Sequence, residues 1–455
     1  MKTNTPSLEK ATRINLLDFS SLQMRTFHLS WIAFFLCFFG WFAHAPLMNS
    51  TIGPDLDLSK AQKITAFIAS VGITIIARLI IGNLCDKIGP RKSYTYLLLF
   101  GAVVVASSSF AYNWETYLLS RMAIGVIGAS FVITQYHTTK MFAPNVVGIA
   151  NATTAGWGNL GGGVTQALMP LIASGMLAVG LANSELSKWR PAMFVPALIM
   201  LGVAYLYWTY TKDDPKGNFS ENPDLQPKKL EGESGLFMSA VKDRRVWILF
   251  AIYGACFGLE LFVNGRAATY YQTKFSLNET TAGMIAALFG LMNLFARSMG
   301  GWLGDRFSKA GGLSGRVKWL VMVLFVEGFA LILFSRMDML GLAIGTMILF
   351  SLFVQMAEGA TYSVVPFINK KSLGAVAGIV GAGGNVGAVI YAQFLLRSGA
   401  SLENSFMYFG IAVVAISMLG LGIKFSQADE DAAVAEQKKL EEFEKELQAK
   451  EKLAA

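Results

Sequence analysis

Charge is scarce in this chain. Only 15% of its 455 residues are Asp, Glu, Lys or Arg, while 54% are hydrophobic and the mean hydropathy is +0.48. Soluble domains carry about a quarter charged residues, so the balance excludes an ordinary water-soluble globule and points to a membrane protein. Cysteine is equally sparse. Cys37, Cys85 and Cys256 are odd in number and lack paired spacing, which excludes a disulfide framework and a thiolate metal site. The three histidines are scattered and offer no dyad. There is no P-loop, metal-ligand cluster or nucleophile elbow, so neither an enzyme nor an ATP-driven pump is indicated, and no metal or cofactor is expected.

What the chain has instead is hydrophobic length. A spanning helix needs roughly 20 apolar residues. About twelve such runs are predicted, near 26–47, 65–85, 94–112, 116–141, 147–177, 189–211, 246–271, 281–303, 317–335, 340–364, 374–397 and 405–425. The first is as long as a full span and has no small-residue cleavage pattern, so it reads as a retained helix. Its aromatics, from Trp31 to Phe42, and His44 read as packing residues. The net charge of +8 invites a nucleic-acid reading, but the cations lie between hydrophobic runs. Lys87, Arg91, Lys92, Lys140, Arg244, Arg245, Arg306, Lys309, Arg316, Lys318, Lys370 and Lys371 fall on one side, and the opposite loops carry fewer. The positive-inside rule then places both termini and the 212–245 loop in the cytoplasm, and no nucleic acid is expected as a partner.

One stretch organises the rest. Ile73–Lys92 puts Arg78 inside an apolar run, and Leu291–Arg306 repeats the arrangement with Arg297. Both copies have a glycine four residues after the arginine (Gly82, Gly301) and an aspartate eight after it (Asp86, Asp305). A guanidinium in hydrocarbon costs about 3 kcal/mol on insertion scales, so it faces a protein interior or an aqueous cavity. Two at matched positions imply one anion site built by symmetry. A second repeat agrees: AGWGNLGGGVTQ (Ala155–Gln166) matches GIVGAGGNVGA (Gly378–Ala388). Gly158-Asn159 aligns with Gly384-Asn385 and Gly161 with Gly387 at one offset. So many glycines in a span imply close backbone approach. The chain thus divides into an N-terminal segment (1–25), a six-helix half (26–211), a linker (212–245) with a short amphipathic piece around Leu236–Val241, a second half (246–426) and a charged helical tail (427–455). In the tail Glu441→Lys445 and Glu446→Lys450 form i,i+4 pairs beside a thin stripe of Leu440, Phe443 and Leu447.

Two guanidinium forks suit a small planar oxyanion, because a flat three-oxygen anion accepts from both at once. Asn159, Asn385 and the amides exposed at Gly158 and Gly384 would add donors, and Phe131, Tyr253 and Phe257 would wall the site. Glu260 and Glu358 are carboxylates inside spans, read equally as proton carriers or as structural partners of buried arginines.

The loop Gly-x-x-x-Asp86-x-x-Gly-x-Arg91-Lys resembles the signature of the major facilitator superfamily, an all-α membrane fold with twelve spans in two halves. By that likeness Gly82 permits close helix approach, and Asp86 and Arg91, like Asp305 and Arg306, form a conformational latch. Arg121-x-x-x-Gly125 resembles the superfamily's fourth-helix arginine motif, a structural or coupling group. The paired glycine-rich helices and both arginine contexts are similar to those of the nitrate/nitrite porter family. Membership implies that Arg78 and Arg297 bind nitrate or nitrite directly. Gly-Leu-Glu260 and Ala-Glu358-Gly-Ala-Thr look like the proton-coupled, high-affinity branch. The implied protein is a monomeric proton symporter of a bacterial plasma (inner) membrane, working by alternating access. The competing readings are a nitrate/nitrite exchanger, a carrier of another small anion such as formate, and a nitrate sensor that does not transport.

Overall fold

The computed structural model describes residues 10–143, 146–225, 233–369 and 373–454. Among these, eleven helical stretches are long and apolar enough to cross a membrane. One of them, Glu279–Ser335, is broken at Gly311 and Gly312, whose backbones leave helical geometry, so it makes two spans. The spans, numbered in chain order, are α1 (Leu22–Phe42), α2 (Lys60–Ile88), α3 (Pro90–Phe110), α4 (Trp114–Met141), α5 (Val147–Ala178) and α6 (Trp189–Tyr210). The second set is α7 (Arg244–Phe275), α8 (279–310), α9 (313–335), α10 (Leu340–Phe367), α11 (Leu373–Ser398) and α12 (Leu402–Gly422). The tail forms α13 (Gln427–Ala454), and the linker contains a short helix over Glu233–Lys242.

Local chemistry sets the ends. Side-chain oxygens of Ser21, Ser59, Asn113, Asn278 and Ser401 accept from the first-turn amides of α1, α2, α4, α8 and α12. The capping box Ser59/Gln62 starts α2 at Lys60, before the apolar run that predicted it. The α2–α3 corner is made by Gly89, at φ 86°, followed by Pro90 at the first position of α3. At the kink between α8 and α9 Gly312 has φ 60°. The predicted tail pairs and stripe fall on side chains outside the described residues, as do Lys370 and Lys371.

The repeat seen in the sequence recurs in space. Each glycine-rich helix packs on the first helix of its own half, α5 on α1 and α11 on α7. A Cβ on Gly158 would enter the ring of Phe34, and one on Gly384 the ring of Phe257. Gly161 meets the backbone of Phe35 and Gly387 that of Gly254. Across the halves α5 packs on α8 and α2 on α11. Gly163 and Gly290 there abut backbone to backbone. Gly82 behaves differently from expectation. The nearest atom to a Cβ at Gly82 is a Val132 methyl at 3.8 Å, and at Gly301 it is the Gly359 carbonyl at 3.8 Å. Both positions already accommodate a methyl, so neither glycine marks a close helix approach in this conformation.

Candidate functional site

Two polar clusters meet between the halves at mid-span. The first centres on Arg78. Its Nη1 donates to the Gly381 carbonyl of α11 at 3.1 Å, and the guanidinium faces the rings of Phe131 at 5.5 Å and Phe257 at 5.8 Å. Its Nε and Nη2 are buried without a partner. The second centres on Arg297, which also lies 5.8 Å from the Phe257 ring. Arg297 Nη2 donates to the Tyr253 hydroxyl at 2.8 Å and lies 2.8 Å from Glu358 Oε2. The carboxylate contact is a charge pairing off the hydrogen-bond angle, since neither Glu358 oxygen makes an aligned hydrogen bond among the described residues. Arg297 Nη1 is buried and unpartnered. Both guanidiniums therefore lie close to one aromatic ring, and each has donors unused among the described residues.

Each half contributes to the walls. A short 3-10 turn interrupts α4 at Val126–Ala129, shortly before Phe131, and another interrupts α8 at Met292–Leu294, just before Arg297. Such interruptions reorient the side chains that follow them. Tyr253 stacks on Phe257 at 5.1 Å and meets Tyr362 edge-on at 5.1 Å, and Tyr362 reaches Phe131 at 6.4 Å. A Cβ at Gly359 would strike the Arg297 backbone, so α8 and α10 touch directly beside the Arg297–Glu358 pair.

The remaining predicted residues fall into four groups. Glu260 belongs to the Arg297 cluster: Asn293 donates to its Oε1 at 2.8 Å and Asn159 to its Oε2 at 3.5 Å. It also couples electrostatically to Arg297 and Glu358. Asn385 joins the halves instead, donating to the Val71 carbonyl of α2 at 3.4 Å while its Oδ1 is unpartnered. Gly158 and Gly384 serve packing, as described above. The conformational candidates lie apart from the centre. Asp86 sits beside Tyr136 of α4. Arg91 lies over the Trp208 ring at 4.3 Å and donates through Nε to the Trp208 carbonyl at 2.8 Å, which ties α3 to the end of α6. Asp213, beyond that helix end, accepts from the amides of Arg91 and Phe219, each at 2.9 Å. Burial pushes the Asp213 carboxyl above its usual range, against the pull of those two amides. Asp305 pairs with Arg316 of α9, and Arg306 lies 5.7 Å from the Trp302 ring. Arg121 is buried at the other end of the bundle.

Three residues of this region did not stand out in the sequence. Tyr362 follows Glu358 by four residues and Asn293 precedes Arg297 by four, so each shares a helix face with a recognised residue. That spacing was the available signal. Glu327 of α9 is a third intramembrane carboxylate, fully buried, with both oxygens unpartnered among the described residues.

Comparison with known proteins follows the same lines. The sequence pattern described as the Major Facilitator Superfamily matches residues 30–392. The chain is 36% identical to "High-affinity nitrate transporter 2.3" of Oryza sativa over 92% of this chain and 81% of that protein. It is 37% identical to "High affinity nitrate transporter 2.7" of Arabidopsis thaliana over 92% of this chain and 87% of that one. A "Nitrate/nitrite transporter NrtP" of Nostoc punctiforme is 28% identical over 83% of this chain and 87% of its own. Among solved structures, a bacterial homologue of the human lysosomal transporter Spinster, inward-facing and occupied, superposes with a TM-score of 0.66 at 14% identity, covering 89% of this chain and 99% of that one.

Proposed function

The chain belongs to the nitrate/nitrite porter family of the major facilitator superfamily, and on that premise we propose that it is a secondary carrier that imports nitrate by alternating access, with protons as the coupling ion. The observation that carries the proposal is the pair of guanidiniums that both approach the ring of Phe257, each with buried N–H groups unspent among the described residues. A planar anion in contact with both forks accepts hydrogen bonds in its own plane, while the aromatic faces exclude water. A tetrahedral dianion would want further donors. Nitrite, smaller and also planar, fits the same donors.

The coupling proposal rests on the asymmetry between the arginines. Arg297 is held by Glu358, and Arg78 has no carboxylate partner among the described residues. With Glu358 ionised, Arg297 is largely neutralised and the site offers one net fork. A proton on Glu358 loosens that pairing and releases Arg297 to the anion, so proton and nitrate favour each other's binding. Glu260, bracketed by Asn159 and Asn293, is the second acceptor on the same path. Nitrate entry opposes an inside-negative potential by about 2.3 kcal/mol per charge per 100 mV, and co-transport of two or more protons reverses the sign.

Contacts between the halves run from the centre to the end away from the termini. They include Gln166 donating to the Asn264 carbonyl at 2.7 Å, Gln272 to that of Pro46 at 3.3 Å, and Lys188 Nζ 3.7 Å from Glu279. With the termini cytoplasmic, this is an inward-facing arrangement of a monomer in the plasma membrane, closed on the outside.

The test is labelled nitrate uptake into proteoliposomes under an imposed pH gradient, wild type beside Glu260→Gln and Glu358→Gln. Gradient-driven uptake lost in either variant supports symport. Uptake indifferent to the gradient but driven by internal nitrite makes the protein an exchanger and both carboxylates structural.

A further inference from the structure

Away from the central site, at the bundle end opposite the termini, a narrow cleft of about 20 Å³ opens between the halves. It is lined on one side by His44, Lys63, Phe67 and Arg121 of the first half and on the other by Gly265 and Arg266 of the second. Arg121 and Arg266 are each 6% exposed. Among the described residues none of Lys63, Arg121 and Arg266 has a carboxylate within ion-pair distance. Two other basic residues near this end are paired: Arg190 with Asp55 at 2.8 Å, and Lys188 with Glu185 at 3.0 Å and Glu279 at 3.7 Å. The buried guanidiniums of Arg121 and Arg266 have no such pairing among the described residues.

The hydrogen bonds leave room for a ligand. Arg121 Nη1 donates to the Trp41 carbonyl at 3.1 Å and to His44 Nδ1 at 3.4 Å. A guanidinium only donates, so Nδ1 accepts, and Nε2–H of a neutral His44 donates to Ser108 Oγ at 3.1 Å. The imidazole thus supplies no negative charge. Arg266 Nη2 donates to the Lys63 carbonyl at 3.3 Å, while its Nε is buried and unpartnered. A buried cation without counter-charge is costly, and a bound anion would offset that cost.

We propose that this cleft is a second anion site, where the transported planar anion stops just outside the closed gate. The identity of the anion rests on the transport reading above. Position supports the staging role: on α2 Phe67 lies eleven residues before Arg78, about 16 Å along the helix axis. Between the two sites Phe67 and Phe262 meet edge-on across the halves at 6.3 Å, and a Cβ at Gly265 would enter the Phe67 ring. An aromatic seal thus separates an outer basic cleft from an inner one. A staged anion also screens the repulsion between Arg121 on one half and Arg266 on the other, which favours the closed gate.

The test uses the full chain in detergent, with sodium nitrate or sodium chloride titrated at constant ionic strength and thermal stability as the readout. In an Arg78→Gln/Arg297→Gln background, which disables the central site, nitrate should still give a saturable rise in melting temperature. Adding Arg266→Gln should abolish it, and adding Lys60→Gln, an exposed cation at the same end outside the cleft, should not. Persistence of the rise after Arg266→Gln, or a rise with chloride alone, overturns the staging site. A second arm guards against a background that fails to fold: Arg266→Gln alone should raise the KM for nitrate uptake about tenfold, the loss of one charge-assisted contact, with the maximal rate within about twofold of wild type. An unchanged KM overturns the proposal as well. Should the wild type move no nitrate, the transport reading fails, and the binding arm still decides whether the cleft holds the anion.

Discussion

Arg78 and Arg297, matched in sequence, are unmatched in surroundings: both lie 5.8 Å from the ring of Phe257, yet among the described residues only Arg297 has a carboxylate, that of Glu358, at 2.8 Å. The twofold repeat places two forks around one ring. The departure from the repeat is a glutamate on α10 with no counterpart beside Arg78 among the described residues, and on the proposed mechanism it makes the charge of the site depend on protonation.

Replacing Arg78 by lysine keeps the charge and removes the fork. A lost charge-assisted hydrogen bond is worth about 1.5–3 kcal/mol, so apparent nitrate affinity should fall by about ten- to a hundredfold in proteoliposome uptake. Near-normal uptake by Arg78→Lys would sink the two-fork site.

Glu358→Gln leaves Arg297 buried without its counter-charge. Breaking a buried pair from one side costs about 3–5 kcal/mol. The variant should melt at a lower temperature than wild type, and nitrate, able to replace the missing charge, should stabilise it by more than it stabilises wild type. Equal nitrate-induced shifts in the two proteins would show that Glu358 and the anion do not share Arg297.

The two signature glycines separate packing from binding. Gly158→Ala drives a methyl into Phe34, and Gly384→Ala drives one into Phe257. Both overpack the bundle, at about 1–3 kcal/mol each. Only the second displaces the ring that both arginines approach, so at matched stability Gly384→Ala should lose far more nitrate uptake. Equal losses would remove Phe257 from the site.

The tail meets the bundle at two adjacent residues, Asp429, 3.7 Å from Arg245 of α7, and Glu430. Glu430 of α13 accepts from the amides of Leu313 at 2.7 Å and Ser314 at 3.2 Å, the first turn of α9. It acts as an N-cap supplied by a distant part of the chain. Glu430→Ala should speed amide hydrogen exchange at Leu313 and Ser314 with little effect at the α12 start, where Ser401 caps locally. Unchanged exchange at those amides would show that the tail does not hold α9.

Much of this was legible in the chain, because charge in hydrocarbon is conspicuous. Arg78, Arg297, Glu260 and Glu358 each interrupt an apolar run, and the glycine register paired Asn159 with Asn385 before any contact was known. Helix ends were less legible where a cap outruns the apolar pattern, as Ser59 and Gln62 do for α2. The α8 end was also short in the prediction, because its charged turn, with Asp305, Arg306 and Lys309, stays helical up to Gly311. Tyr362 and Asn293 escaped notice because a single polar residue on a helix does not announce which face it takes. Glu327 stands alone on α9, without a repeat partner to draw attention to it. The outer cleft was invisible for a different reason. His44, Lys63, Arg121 and Arg266 come from four separate stretches, and only the fold brings them together.

Where α5 crosses α8, Gly163 and Gly290 face each other with no side chain between them. A joint of bare backbone has no teeth. On the proposed alternating-access mechanism the two halves roll over one another there with no side chain between these two glycines, which leaves the barrier to the gates and the charges. The same bareness removes any means of gradual adjustment. Where neither surface has room for a single methyl, the axle cannot be thickened by degrees, and tuning of the turnover rate falls to residues at the ends of the bundle.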